Sequence, residues 1–256
     1  MLKQTLLKAT QAGAKVLQQY FNGTFEVSSK DTINNLVTQA DKEAESAIID
    51  VIRETFPDHF ILSEEVGELR MDSNMKWVID PLDGTVNFAH GIPICCVSIA
   101  VERDEEVIMG AVYNPFMNEF FMAELEQGAT LNDKEIHVST KEDLASACLV
   151  TGFPYNWREM RNDPVKVFKR FVENGNPVRR LGSAALDLCW VACGRFDAFW
   201  EHHLQPWDSA AGALIVQEAG GVVTDFDGYP YSIYQKPILA TNGLLHGDML
   251  QVINNG

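Results

Sequence analysis

The run Trp77-Val78-Ile79-Asp80-Pro81-Leu82-Asp83-Gly84-Thr85-Val86-Asn87-Phe88 constrains this chain more than any other stretch. An apolar strand ends there in two carboxylates, a glycine and a hydroxyl. Acids at the mouth of a buried strand are costly unless something positive meets them. Pro81 fixes the backbone and removes an N–H, so Asp80 and Asp83 can face one cavity, with the Leu82 carbonyl as a further oxygen. Hard oxygen ligands in that position suit Mg²⁺. Gly84 permits close backbone approach, and the N–H groups of Gly84 and Thr85, opening a short helical turn, suit phosphate oxygens.

The rest of the pattern reads as mixed α and β. Residues 2–21 carry Leu2, Leu6, Ala9, Val16, Leu17 and Phe21 on or near one helical face. Gly13 shares that face, where a small residue lets a neighbour pack close. Residues 23–38 are polar and turn-rich and read as a mobile segment. Residues 40–55 form a second amphipathic helix that stops near Phe56-Pro57-Asp58. A strand over 60–63 delivers Glu64 and Glu65. Residues 94–136 read as an antiparallel meander, turning at 103–106, Asn114-Pro115 and 131–133. The second half restarts with a strand over 147–151. It continues with helices near 163–173 and 183–193, a strand over 196–201, a helix over 207–219, strands near 222–225 and 237–241, and a helix near 246–254. No repeat or obvious linker interrupts this order. The expectation is one domain over residues 1–256, with sub-domains of roughly 1–145 and 146–256 sharing a cleft.

Thirty-six acids against 20 bases, a formal net charge of −16, argue against direct nucleic-acid binding, which needs a basic face. Bound divalent cations would reverse the local sign at a site, so the charge does not exclude an anionic ligand. The chain has no apolar run of transmembrane length, and its first residues lack a signal peptide's apolar core. Membrane association is therefore not expected. Five cysteines lie mostly among apolar residues. Cys189 and Cys193 have metal-compatible spacing, but no neighbouring His or Cys pair completes a soft-metal set. An odd count of buried thiols fits a reducing compartment, and the chain is expected in the cytoplasm.

Taken singly, each acid has an ordinary explanation as a turn residue or a solvated side chain. The joint pattern does not. Glu64, Asp80 and Asp83 each follow an apolar strand, and Asp208 begins an apolar helix. A phosphate monoester repels nucleophiles by its own charge. Two divalent cations about 4 Å apart can polarise its oxygens, acidify water and stabilise the leaving alkoxide. One carboxylate must then bridge both cations, and Asp80 is the best placed.

Two motifs, WVIDPLDGTVNFAH at 77–90 and WDSAAGALIVQEAGG at 207–221, with LVTQAD at 36–41 and SEE at 63–65 in order, resemble the inositol monophosphatase family. This family belongs to the Mg²⁺-dependent, lithium-sensitive sugar phosphatases. The resemblance spans nearly the whole chain. It implies a layered αβαβα sandwich of the inositol monophosphatase and fructose-1,6-bisphosphatase type, a homodimer, and hydrolysis of inositol monophosphate or a related polyol phosphate. It implies two or three Mg²⁺ ions: Glu64, Asp80 and the Leu82 carbonyl on the first, and Asp80, Asp83 and Asp208 on the second. Glu64 would also help hold a third. It implies Thr85 and Asp41, assisted by Glu64, as the groups that activate water, and Gly84 and Thr85 as the phosphate cradle. Asp83, Ala184, Glu201 and Asp208 would meet substrate hydroxyls, with Gly182 and Ser183 lining the pocket. Lys30 would lie on a mobile loop closing over the site.

Ser183 stands where the animal enzymes carry Thr, and Thr151-Gly152-Phe153-Pro154-Tyr155-Asn156 differs from their sequence as well. Both departures fall on the substrate side. Histidinol phosphate, fructose 1,6-bisphosphate and 3′-phosphoadenosine 5′-phosphate are alternative substrates, and for the last two Arg179 and Arg180 are candidate charge partners. A haloacid-dehalogenase-type phosphatase is a rival reading, but its acids are spaced Asp-x-Asp, and here Pro81 and Leu82 intervene. A third reading is a regulatory protein acting on the transcription machinery, as some bacterial relatives do.

Overall fold

Two large sheets and three helix layers organise the chain, beside a two-stranded ribbon. The computed structural model describes residues 1–23, 26–29, 36–154, 157–160 and 163–255. Its first part runs α1 (Leu2–Tyr20), β1 (Val27–Ser29), β2 (Leu36–Thr38), α2 (Gln39–Thr55), β3 (Phe60–Ser63), β4 (Gly67–Leu69), β5 (Met75–Asp83), α3 (Thr85–Ala89), β6 (Cys96–Arg103), β7 (Glu106–Asn114), β8 (Glu119–Glu124), β9 (Ala129–Leu131) and β10 (Lys134–Glu135). It continues with β11 (Leu149–Thr151), α4 (Pro164–Glu173), β12 (Val178–Arg179), α5 (Ala184–Ala192), β13 (Ala198–Glu201), α6 (Pro206–Glu218), β14 (Val222–Thr224), β15 (Ile238–Thr241) and α7 (His246–Asn254).

The larger sheet has strand order β10-β9-β8-β7-β6-β5-β3-β4 and the smaller β12-β11-β13-β15-β14. Both are mixed, since β3 runs parallel to β5 and β11 parallel to β13 while most other pairs are antiparallel. Side-chain alternation explains the layering. Trp77, Ile79, Ile99 and Val101 pack with Leu6, Leu17, Ile48 and Ile52 of α1 and α2. Val78, Ala100 and Val112 point the other way and pack with α5 and α6. Val150, Phe199 and Ala240 of the smaller sheet close on that same helix pair. Their neighbours Leu149, Ala198, Trp200 and Leu239 face α4 and α7 through Phe171 and Met249. The result is the expected αβαβα sandwich, and α6 is apolar nearly all round because both of its sides are covered.

Small residues set the layer spacing. A Cβ on Gly13 would lie 2.7 Å from Ile48 Cδ1, so the glycine is what lets α1 approach α2. A Cβ on Gly110 of β7 would lie 2.9 Å from the Ala211 backbone of α6. The segment read as a mobile stretch instead contains β1 and β2, paired antiparallel from Val27↔Thr38 to Ser29↔Leu36. Polar composition hid this pair, because its backbone hydrogen bonds need no apolar alternation. Strand β4 escaped notice for the same reason. Lys30, Tyr155 and Asn156 lie outside the described residues.

Candidate active site

The site is built where several elements end. β5 pairs Asp80 with Ser98 and Asp83 with Cys96, three steps along one strand against two along the other. The extra residue makes a bulge at Pro81-Leu82, where proline has no N–H to offer the ladder. Asp80 Oδ1 accepts a hydrogen bond from the Leu82 N–H at 2.9 Å. Gly84 then turns the chain at φ +93° into α3. A Cβ there would come within 2.8 Å of the Ile94 carbonyl oxygen, so both the conformation and the space require glycine.

Thr85 Oγ1 lies 3.2 Å from Asp41 Oδ1 and 3.1 Å from the Leu82 carbonyl oxygen. Asp41 is buried in the first turn of α2. Its Oδ2 accepts the Thr38 N–H at 2.7 Å and the Thr38 hydroxyl at 2.5 Å, a capping box that leaves Oδ1 for Thr85. Burial raises the Asp41 carboxyl to about 7, against the pull of the Thr38 hydrogen bonds.

Four acids form one electrostatic group. Burial, then the carboxylates of Glu64, Asp83 and Asp208, hold Asp80 well above the ordinary range, and Asp80 shares a hydrogen bond with Glu64. Asp83 is raised to about 6 by burial, while Ser183 and the Ala185 and Ala184 amides pull it down. Ser183 Oγ donates to Asp83 Oδ2 at 2.6 Å and the Ala185 N–H does so at 2.8 Å, joining the end of β5 to the start of α5. Asp208, in the first turn of α6, accepts the Gln205 N–H at 2.7 Å. Burial, then Glu64 and Asp83, raise it well above the usual carboxylate range. Among the described residues no three His, Cys, Asp or Glu side chains form a ready-made ion cage. The carboxylates are neighbours, but Asp80, Asp83 and Asp208 each turn an oxygen to a protein donor. Mutually repelling, enclosed carboxylates fit a hard divalent cation, since a cation is what would relieve their repulsion.

On the other side, Glu201 ends β13, buried, with burial raising its carboxyl to about 8 and Arg180 opposing. A Cβ on Gly152 would lie 2.1 Å from Glu201 Oε2, so that glycine is the wall against which Glu201 rests. Gly182 adopts φ +89°, and its missing side chain leaves room for the Asn87 amide, 3.1 Å from where a Cβ would be. Asn87 Nδ2 donates to the Ile94 and Leu181 carbonyls, each at 2.8 Å, tying α3 to the Gly182-Ser183-Ala184 turn.

Two residues here were given no role in the sequence. Asn87 stood inside the 77–90 motif with nothing assigned to it. Asp187 is buried within α5, and its Oδ1 has no hydrogen-bond partner among the described residues. Burial, Asp83 and Glu201 raise its pKa, and Arg180 lowers it. The signal was available, an acid inside the otherwise apolar run AALDLCWVA.

A sequence profile of the inositol monophosphatase family matches residues 2–255. An inositol-1-monophosphatase of Synechocystis sp. is 44% identical over 243 residues, 94% of this chain and 84% of its own. The Nus factor SuhB of Pasteurella multocida is 43% identical over 229 residues, 89% of this chain and 86% of its own. The crystal structure of the extragenic suppressor protein suhB from Bartonella henselae superposes with a TM-score of 0.94 at 35% identity, covering 100% of this chain and 99% of that one.

Proposed function

The chain belongs to the inositol monophosphatase family, and on that premise we propose that it is a Mg²⁺-dependent phosphomonoesterase acting on inositol monophosphate or a related polyol phosphate. Glu64, Asp80, the Leu82 carbonyl, Asp83 and Asp208 would hold two Mg²⁺ ions, with Glu64 assisting a third. Bound there, Mg²⁺ supplies Lewis-acid polarisation of phosphoryl oxygens and eases deprotonation of water near neutral pH.

The protein's own part is orientation and proton handling. Thr85 takes a proton from the attacking water as its own passes to Asp41 Oδ1, 3.2 Å away. A carboxyl near 7 suits a proton acceptor working at neutral pH. The N–H groups of Gly84 and Thr85 steady the phosphate. Glu201, Ala184, Asp83 and Asp208 meet the alcohol's hydroxyls, with Gly182 and Ser183 shaping the pocket, and a carboxylate such as Glu201 suits a polyol. The cytoplasm and a homodimeric state complete the reading.

The observation that carries this reading is the Thr85–Asp41 contact beside the Asp80, Asp83 and Asp208 group. Phosphate release from a panel of phosphomonoesters tests it, with Mg²⁺ and with EDTA. Inositol monophosphate and other polyol phosphates should release phosphate only with Mg²⁺. Metal-independent release, or none from any ester, overturns it. Family membership sets aside the aspartyl-nucleophile rival.

Similarity to a Nus factor supports a second reading, a role with the transcription machinery. Pull-downs with wild type and Asp80→Asn would separate the two. A transcription partner retained by both forms supports the second role, and capture of none by either removes it.

A further inference from the structure

Glu45 lies one helical turn beyond Asp41 on α2, about 6 Å along the axis and on the same face. It is 2% exposed. Its Oε1 alone accepts three hydrogen bonds, from Ser63 Oγ, from the Glu65 N–H at 3.1 Å and from the Val66 N–H at 3.2 Å. These donors bracket Glu64, whose own N–H donates to the Ile79 carbonyl of β5 at 3.2 Å. The turn between β3 and β4 is thus gripped from β5 on one side and from α2 on the other.

The apolar side chain at the tip of this turn faces outward. Val66 is 48% exposed. A cavity of about 390 Å³, lined by Ile49, Asp50, Glu65 and Val66 among others, lies alongside it. The hydrogen bonds onto Glu45 tie the turn to α2.

We propose that Glu45 is a positioning residue, which by gripping Ser63, Glu65 and Val66 fixes the Glu64 carboxylate relative to the Asp41–Thr85 pair. One helix then spaces the ion-holding acid from the proton acceptor. The inference rests on the reading of Glu64 as a Mg²⁺ ligand.

The test measures Mg²⁺ binding by calorimetry, amide exchange at residues 64–66 and thermal melting in Glu45→Ala, Glu45→Gln, Ser63→Ala and Glu64→Gln. Glu119→Gln is the control, a buried acid bonded to Trp190 and Arg195 at the far end of α5. Glu45→Ala should weaken Mg²⁺ binding about 10- to 100-fold, the range seen when a group orienting a ligand is removed. It should also speed exchange at Glu65 and Val66. Glu45→Gln keeps an acceptor and should lose less, and Ser63→Ala should move the same way by a smaller amount. Glu119→Gln should lower the melting temperature with Mg²⁺ affinity unchanged.

If Glu64→Gln weakens Mg²⁺ binding while the Glu45 and Ser63 variants behave like Glu119→Gln, the positioning role is wrong and the ligand reading stands. If Glu64→Gln binds Mg²⁺ like wild type, the ligand reading fails and the inference falls with it. Should Glu45→Ala not fold, Glu45→Gln and Ser63→Ala decide.

Discussion

Replacing Gly152 by alanine should move Glu201 without removing it. The Gly152 backbone lies outside the left-handed region, so alanine adds no dihedral strain. The new Cβ would stand 2.1 Å from Oε2, 2.6 Å from Cδ and 2.7 Å from Oε1 of Glu201. Restoring an ordinary 3.4 Å contact requires the carboxyl to retreat by about 1.3 Å. A displacement of about 1 Å in a positioning group can lower the rate about 100-fold. Against that, the alanine restricts the unfolded chain, which contributes about 0.4–1 kcal/mol of stability where the conformation is compatible. The melting temperature should therefore change little while turnover of polyol phosphates falls by about two orders of magnitude. The assay compares kcat/KM for inositol monophosphate with that for p-nitrophenyl phosphate, whose leaving group has no neighbouring hydroxyls. The first should fall far more than the second. The Gly152→Ala/Glu201→Gln double variant should be no worse than the poorer single one, because both act through the same carboxylate. Equal losses on both esters, or additive losses in the double variant, would refute a role for Glu201 in reading the alcohol.

Asp80→Asn should reduce turnover by several orders of magnitude. In EDTA it should melt above wild type, because one of several repelling carboxylates is gone, whereas Mg²⁺ at 100 times its Kd should stabilise only the wild type, by about 2.7 kcal/mol. Differential scanning calorimetry with and without Mg²⁺ checks both, and equal Mg²⁺ stabilisation of the two proteins contradicts the assignment. Stability in EDTA should also depend on pH. Folding raises Asp83 to about 6, Asp41 to about 7 and Glu201 to about 8. The folded state therefore holds more protons than the unfolded chain between about pH 4 and pH 8, and stability falls as pH rises through that window. A flat or rising melting temperature between pH 5 and pH 8 would count against these enclosed acids. Thr85→Ala should lower kcat about 10²- to 10⁴-fold with a smaller change in KM, as expected for a group acting on the proton. Steady-state kinetics showing the loss mainly in KM would reassign Thr85 to phosphate binding.

The sequence made the acid group of the site legible, and the reason is local. Asp80 and Asp83 end an apolar strand, Asp208 begins an apolar helix, and Gly84 marks the turn after Asp83. Those breaks are visible without knowing what packs where. The Glu201 side was harder, because its logic is long-range. Nothing near Gly152 in the chain reveals that Glu201, on the neighbouring strand β13, closes on it. Asn87 bridging Ile94 and Leu181, and Glu45 gripping a turn on β3, likewise depend on approaches between distant segments. Strands β1 and β2 were missed for a different reason, since their pairing rests on backbone hydrogen bonds in a polar stretch.

Helix α6 carries Asp208 at its first turn and runs between both sheets, pressed against Ala211's neighbour Gly110 and, at Gly212, against Leu188. A Cβ at either glycine would overlap its neighbour, so this helix cannot slide or roll without prising the sandwich apart. The carboxylate it bears is in effect mortared into the building, while Glu201 only leans on Gly152 from the neighbouring strand. On the function proposed, change at Gly152 and Glu201 would exchange one alcohol for another, and the acids proposed to hold Mg²⁺ would stay as they were.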